Sequence, residues 1–184
     1  MSLRFLLPAA ALVALPTVAG CGGGGPTNPE SAVRFYKVSL RPTGEARAEG
    51  TAFIDVVGGD LRVRVHATGV EPGRHIPQHI HMNRGCDPGG AVLLNLDAGL
   101  TVPGEGPGTG NTFPVASRIG VIDYEATRPL DELRSALVTR GASGLADTDA
   151  LLAYLDLEDR NIHMHVAFGP PFPAVTCGGV EQIH

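Results

Sequence analysis

The sequence predicts an all-β fold built from short strands, with one or two short helices inserted late in the chain. Three observations support this prediction. Glycine and proline are abundant, at 25 and 15 of 184 residues, and tryptophan is absent, which is typical of a chain with many turns. Several β-favouring runs are bounded by such turns. Only the stretch 129–156 has the apolar spacing of helices.

The first part of the folded chain is predicted to hold three strands. VRFYKVSL at 33–40 is the first, and Pro42 follows it. GTAFIDVV at 50–57 and LRVRVHA at 61–67 are separated by a Gly-Gly-Asp turn, which indicates a hairpin. In the second of these runs, leucine and valines face one way while two arginines and His66 face the other. His66 is therefore expected on a solvated face, without a chemical role.

The second half of the chain is predicted to hold shorter elements. In order they are an apolar strand at 91–96, a loop at 103–114, a strand at 115–123, helices within 129–141 and 146–156, and a terminal strand after a proline-rich approach. Asp147 or Thr148 is the candidate N-cap of the second helix, because either side chain can accept a hydrogen bond from a backbone N–H of the first turn.

Two pairs of histidines carry the chemical signal of this sequence. His79 and His81 lie in HIPQHIHMNRGC, and His163 and His165 lie in RNIHMHVAFG. Alternate residues of a strand share a face, so each pair projects to one side, and four imidazoles converge if the two strands are neighbours. A site made only of imidazole favours copper or zinc. The alternative is that the histidines only hydrogen-bond or face solvent.

The N-terminus predicts export from the cell. Residues 1–20 have an early cation, an apolar stretch too short to span a membrane, and small residues just before Cys21, as in a signal peptide. The Val-Ala-Gly-Cys stretch ending at Cys21 resembles the bacterial lipobox, whose cysteine becomes lipidated. Residues 21–31 are expected to form a flexible tether and 32–184 one domain. We expect a lipid-anchored protein of the bacterial cell envelope, with an ordinary cleaved signal as the alternative.

Composition also limits the partners. The formal charge is -5 at pH 7 and the basic residues are scattered, so no nucleic-acid partner is expected. Membrane lipid is the expected partner of Cys21, and the sequence leaves open whether the chain forms a homodimer. Cys86 and Cys177 remain. An exported pair is expected to form a disulfide, with two unrelated buried thiols as the alternative.

Two segments resemble copper/zinc superoxide dismutases. GVEPGRHIPQHIHMNRGC is similar to that family's G-x-x-P-G-x-H-G-F-H-x-H segment with its following loop cysteine, and TCGGV near the C-terminus is similar to its A-C-G-V terminal strand. The resemblance implies a Greek-key β-sandwich of eight strands. It also implies that Cys86 and Cys177 match the family's bridged pair.

The same resemblance implies a copper site. It places two copper ligands at His79 and His81, a third at His165, and a structural histidine that is not a ligand at His75. His163 has no counterpart in the family. It is the candidate fourth ligand, in the place of the family's bridging histidine.

The chain departs from the family where the zinc site would lie. No histidine occurs between Cys86 and His163, so the bridging histidine and the zinc ligands are missing, and no zinc site of that type is expected. The family's anion-guiding arginine falls on Ala174. Arg74 and Arg84, which flank the first histidine pair, are the candidates to guide superoxide instead. Their alternative is to be ordinary solvated loop arginines.

Three functions follow from these patterns. The first is a copper enzyme that disproportionates superoxide. The second is a copper-binding or buffering protein without turnover, which a closed four-histidine site would favour. The third is a metal-free structural module, because residues 50–170 also resemble bacterial CHRD domains with their A-x-H-I-H and late Y-V-N-V-H strands.

Overall fold

A computed structural model describes residues 33–105, 112–166 and 173–184. The predicted signal peptide, the tether and Cys21 lie outside these ranges, and so does part of the loop predicted at 103–114. In the part of the chain that the structure describes, no helix combines the length and the apolar character needed to cross a bilayer.

The described chain forms one curled sheet of eight antiparallel strands with two short helices. The strands are β1 Arg34–Pro42, β2 Glu49–Val57, β3 Asp60–Thr68, β4 Gln78–His81, β5 Val92–Asn95, β6 Val121–Pro129, β7 Asn161–His165 and β8 Ala174–Ile183. The helices are α1 Leu130–Thr139 and α2 Thr148–Leu155, and a 3₁₀ turn follows at Leu157–Asp159. The all-β prediction with short inserted helices is confirmed, whereas the Greek-key connection stays a prediction.

Four strands, β1, β2, β3 and β6, form what we call the long-strand half. Each is nine residues long, and β1, β3 and β6 alternate between buried and more exposed positions. In β3 the leucine and valines are buried while Arg62 and His66 are exposed, as predicted. Gly58 and Gly59 have φ of 62° and 89°, which a tight two-residue hairpin turn requires, so the predicted hairpin is confirmed.

The remaining short strands, β4, β5 and β7, form the histidine half. The strand order is β5-β4-β7-β8-β1-β2-β3-β6, so β8 joins the two halves by pairing with β7 and with β1. On the core side of the histidine half, Ile80, Ile162 and Met164 are fully buried. One apolar cluster contains residues of both halves and of both helices, so the halves share a single core.

The two predicted helices are confirmed, and one predicted strand is displaced. Asp147 is the N-cap of α2, because its carboxylate accepts a hydrogen bond from the backbone N–H of Ala150 at 2.8 Å. The strand predicted at 115–123 is wrong in position, since β6 begins at Val121. A turn precedes it, in which Gly120 has φ of 74° and donates its N–H to the carbonyl of Ser117 at 3.0 Å.

Candidate metal centre

The two histidine strands are direct neighbours in the sheet. β4 and β7 pair antiparallel, with His79 opposite His163 and Ile80 opposite Ile162. Opposed residues share a face and stand about 5 Å apart at Cβ, so the imidazoles lie on one side and the isoleucines on the other. Five ring pairs among the four histidines have centroids 4.5 to 6.0 Å apart. The predicted convergence of four imidazoles is confirmed.

Three of these histidines present a compact set of donor atoms. One ring nitrogen each of His79, His81 and His165 lies within 4.8 Å of the other two. Nitrogens bound to one ion at about 2.0–2.1 Å are about 3 Å apart, so small side-chain rotations would close this set on a metal. A register shift between Ile80 and His81, and another between Met164 and His165, accompany this arrangement. Such bulges commonly redirect side chains beside functional sites.

Hydrogen bonding tests whether these rings fit a metal ion. Nδ1 of His79, Nε2 of His81 and Nε2 of His163 are buried without a hydrogen-bond partner, which is rare for a polar atom. On the other side of its ring, Nδ1 of His81 lies 2.9 Å from the carbonyl oxygen of Gly90. A carbonyl only accepts, so Nδ1 carries the proton and Nε2 presents a lone pair, as in metal-binding histidines.

Burial keeps the rings of His79 and His163 neutral. Burial, and then the neighbouring His165, His81 and His163, lower the pKa of His79 to about 3. Burial, followed by His81 and His165, lowers the pKa of His163 to about 4, against a hydrogen bond to the Cys86 backbone that raises it. A neutral imidazole is the form that binds metal. At neutral pH the two rings would therefore not need to lose a proton in order to bind an ion.

The loop between β4 and β5 covers one side of the histidine face. The side-chain amide of Asn161 donates to the carbonyls of Asn83 and, at 2.8 Å, of Gly85, which holds this loop down on β7. Further along the loop, a Cβ on Gly89 would come within 2.4 Å of Cε1 of His163. Only glycine fits against that ring. The loop accounts for the burial of His163, which is 4% exposed.

An aromatic ring covers the other side of the site. The ring of Phe113 meets that of His79 edge-on, with centroids 5.3 Å apart. Nδ1 of His75 lies 2.8 Å from the carbonyl oxygen of Phe113 and so fixes the backbone that carries the ring. His75 is not in the group of three histidines. This contact fits the structural role that the resemblance implies for His75.

His163 stands beside the group of three and next to the disulfide. Its donor nitrogen and the sulfurs of Cys86 and Cys177 all lie within 4.8 Å of one another. Cys177 is its direct register partner on β8 and is bonded to Cys86 over a sequence separation of 91, so the predicted disulfide is confirmed. The ring of His163 is also 4.5 Å from that of His81. Its role as a fourth ligand stays a prediction.

The two arginines predicted to guide an anion are both exposed. Arg74 forms an ion pair with Glu71 at 3.0 Å, and Arg84 lies on the loop between β4 and β5. A third arginine, Arg160, is buried and donates to the carbonyls of Met82 at 3.1 Å and Tyr154 at 3.2 Å, tying the end of β4 to α2. It is structural, and the guiding role of the exposed pair stays a prediction.

Sequence reasoning missed three residues that shape the site. Asn161 lies two positions before His163 on the same strand face, so the alternation that identified the histidines could have identified it. Gly89 and Phe113 lie in loops, where no periodicity signals a contact with a distant ring. Both contacts depend on how the chain folds back over the sheet.

The fold and the site together define an all-β protein with a disulfide and a histidine group of metal-binding geometry. No protein-family model matches this chain, and it has no match among curated proteins. The resemblance of the sequence motifs to a family stays a prediction, and the site geometry carries the functional argument.

Proposed function

We propose that the protein binds one copper ion through His79, His81 and His165, with His163 as the candidate fourth ligand. The observation that carries the proposal is the group of three donor nitrogens within 4.8 Å of one another. The group contains imidazole alone, a donor set that favours copper or zinc over calcium or magnesium. The motif resemblance favours copper, and no zinc site of the dismutase type is proposed.

We further propose that superoxide is the substrate and that the protein is a lipid-anchored member of the bacterial cell envelope, held through Cys21. Bound copper would supply the one-electron chemistry that disproportionation needs. His79 and His165 are half-buried, whereas His81 is buried, so a small anion would approach on the side of the first two. A groove of about 280 Å³ runs beside His165, and the exposed Arg47 and Glu71 both line it. Glu71 is paired with Arg74, which leaves Arg47 as the cation of the groove. Its positive charge favours approach of an anion.

Copper binding without turnover is the second candidate function. The burial of His163 and its 4.5 Å ring distance to His81 favour it. If His163 completes a four-nitrogen shell, an inner-sphere substrate has no open position on the ion. In that case the protein would buffer or carry copper ions at the envelope.

The proposal is tested first by the copper content of the purified full chain after loading and dialysis against a weak chelator. We expect about one copper per chain, lost in His81→Ala. His66→Ala is the matched control, because His66 lies in the long-strand half with its side chain 62% exposed and paired with Asp123. It should retain the copper of the unmodified chain.

Absence of retained copper in the unmodified chain would overturn the proposal and leave a metal-free structural module, as in the CHRD resemblance. At equal concentrations copper should displace zinc, because imidazole sites generally bind Cu²⁺ more tightly.

Turnover is tested separately by superoxide consumption. The copper-loaded chain should consume superoxide faster than an equal amount of chelated copper, and faster than the loaded His81→Ala variant. A copper-retaining chain that consumes superoxide no faster than the chelate would contradict the enzyme and support the buffering function.

A further inference from the structure

The disulfide and His163 form a second cluster of donor atoms beside the histidine group. A ring nitrogen of His163 and the two sulfurs lie within 4.8 Å of one another. His163 and Cys177 are 4% and 3% exposed, whereas Cys86 lies on an exposed loop. As long as the sulfurs are bonded to each other, neither is a thiolate. Once reduced, both become soft ligands for a metal.

Contacts that do not involve the disulfide hold these three residues together. His163 and Cys177 are register partners on neighbouring strands, so their side chains share a face. The loop that carries Cys86 is tied to β7 by the amide of Asn161, which donates to the Gly85 carbonyl at 2.8 Å. The Cys86 backbone also lies close enough to the ring of His163 to raise its pKa, against the larger effect of burial. Reduction therefore frees the sulfurs while these contacts continue to hold the loop.

The buried Nε2 of His163 is the second observation that points to a ligand. It has no hydrogen-bond partner, although the residue is almost completely enclosed. Gly89 packs so closely on the ring that a single added carbon would collide with it, so the ring has little freedom to turn toward another partner. A bound ion would satisfy an imidazole held in this way.

We propose that, when the disulfide is reduced, Cys86, Cys177 and His163 bind one soft metal ion, with Cu(I) as the best fit. Two electrons and two protons pass from a dithiol to the disulfide, which gives two thiols here and a disulfide in the reductant. Each thiol then releases its proton as its sulfur binds the ion. Two thiolates and one imidazole form a soft donor set, in contrast to the all-imidazole set beside it.

The test compares Cu(I) uptake by the oxidised and the reduced full chain. The chain is reduced with dithiothreitol, freed of the reductant under nitrogen and titrated against the coloured Cu(I) complex of bicinchoninate. We expect the reduced chain to take up one more Cu(I) than the oxidised chain, with a thiolate-to-copper charge-transfer band and protection of both thiols from iodoacetamide. Equal uptake, or thiols that alkylate equally fast with and without Cu(I), would overturn the proposal.

Two variants separate this site from its alternatives. His81→Ala removes a ligand of the histidine group, and it should still gain one thiolate-bound Cu(I) on reduction. The second site can therefore succeed or fail independently of the proposed copper function. His163→Gln keeps both thiols, and we expect its reduced form to bind Cu(I) at least about 10-fold more weakly, the lower end of the loss for weakened metal-site support. Equal affinity would mean that the thiols bind alone, as in an unfolded chain, and would contradict the proposal.

Discussion

The long-strand half and the histidine half share one core, but they treat their polar side chains in opposite ways. In the long-strand half, charged residues pair with one another, as in the exposed Arg62 with Glu125 at 2.6 Å and Arg64 with the buried Asp55 at 2.8 Å. In the histidine half the polar rings are enclosed by loops, and several of their nitrogens have no partner. In the described part of the first half, only Nε of Arg64 is buried without a partner, and this N–H cannot bind a cation. The second half has imidazole nitrogens that an ion would satisfy.

Two histidines, one in each half, show the same difference in their surroundings. His66 is exposed and lies 2.6 Å from a carboxylate oxygen of Asp123. His81 is 7% exposed, and only one of its two nitrogens has a partner. The environment of a histidine, rather than its presence, therefore distinguishes the candidate ligand. Substitutions in the two halves should accordingly separate stability from metal binding.

The largest expected effect on stability is in the long-strand half. Leu61 on β3 is fully buried, so Leu61→Ala should lower the free energy of unfolding by about 2–5 kcal/mol through lost burial and a cavity. Denaturant unfolding measures this change. Ile119→Ala is the control, because Ile119 is 84% exposed and its truncation should change stability by less than about 0.5 kcal/mol. The folded Leu61→Ala variant should still bind as much copper per chain as the unmodified protein. Loss of copper from this folded variant would show that stability in one half and metal binding in the other are not independent.

The next effect is stabilisation by copper. An ion that binds only the folded chain, at about 100 times its dissociation constant, should raise the free energy of unfolding by about 2.7 kcal/mol. For a chain of this size, this corresponds to roughly 5–10 °C in the melting temperature. Thermal unfolding with and without copper measures it. His79→Ala should show no such increase, and an equal increase in that variant would place the ion elsewhere.

Acidification should lower the free energy of unfolding of the copper-free protein. Burial, more than the neighbouring histidines, lowers the pKa of His79 to about 3 and that of His163 to about 4, so the unfolded chain binds protons more readily below about pH 6.5. The contribution of these two neutral histidines to the free energy of unfolding is therefore fully present above about pH 6.5. It is lost as the pH falls toward their lower pKa values in the folded chain. We expect a loss of about 2 kcal/mol between pH 6.5 and 5, after allowance for solvent screening of partly exposed rings.

Denaturant unfolding across this pH range measures the loss, before most carboxylates titrate. His163→Gln should show a shallower dependence on pH. A slope identical to that of the unmodified chain would mean that other groups cause it.

The smallest effect is expected at the edge of the site. His75→Ala removes the hydrogen bond to the Phe113 carbonyl and should lower the free energy of unfolding by about 1 kcal/mol. It should also weaken copper binding by about 10-fold or less, because Phe113 would no longer be held against His79. A copper-affinity titration beside His66→Ala measures this. Complete loss of copper in His75→Ala would instead identify His75 as a ligand.

The features that the sequence predicted well are those that a short stretch contains. The Gly-Gly turn before β3, the cap at Asp147 and the facing of each histidine pair follow from local geometry. The start of β6 was predicted too early, because the turn around Ser117 and Gly120 interrupts an otherwise apolar run. These are short-range rules, and they succeed or fail within a few residues.

The residues that enclose the histidine site could not be predicted from local sequence patterns. The contact of Gly89 with His163, and that of Phe113 with His79, join a loop to a strand far away in sequence. Their positions are set by the sheet as a whole. The sequence indicated that four imidazoles would converge only if their strands were neighbours, and pairing over such a separation is a tertiary property.

The late strands β7 and β8 determine when the histidine group can form. β4 is formed by an early part of the chain, whereas its partner β7 and the joining strand β8 are formed by the last part. A nascent chain that lacks its C-terminal residues carries His79 and His81 but neither His163 nor His165. The histidine group can therefore bind an ion only after the last part of the chain has been made and has paired with β4.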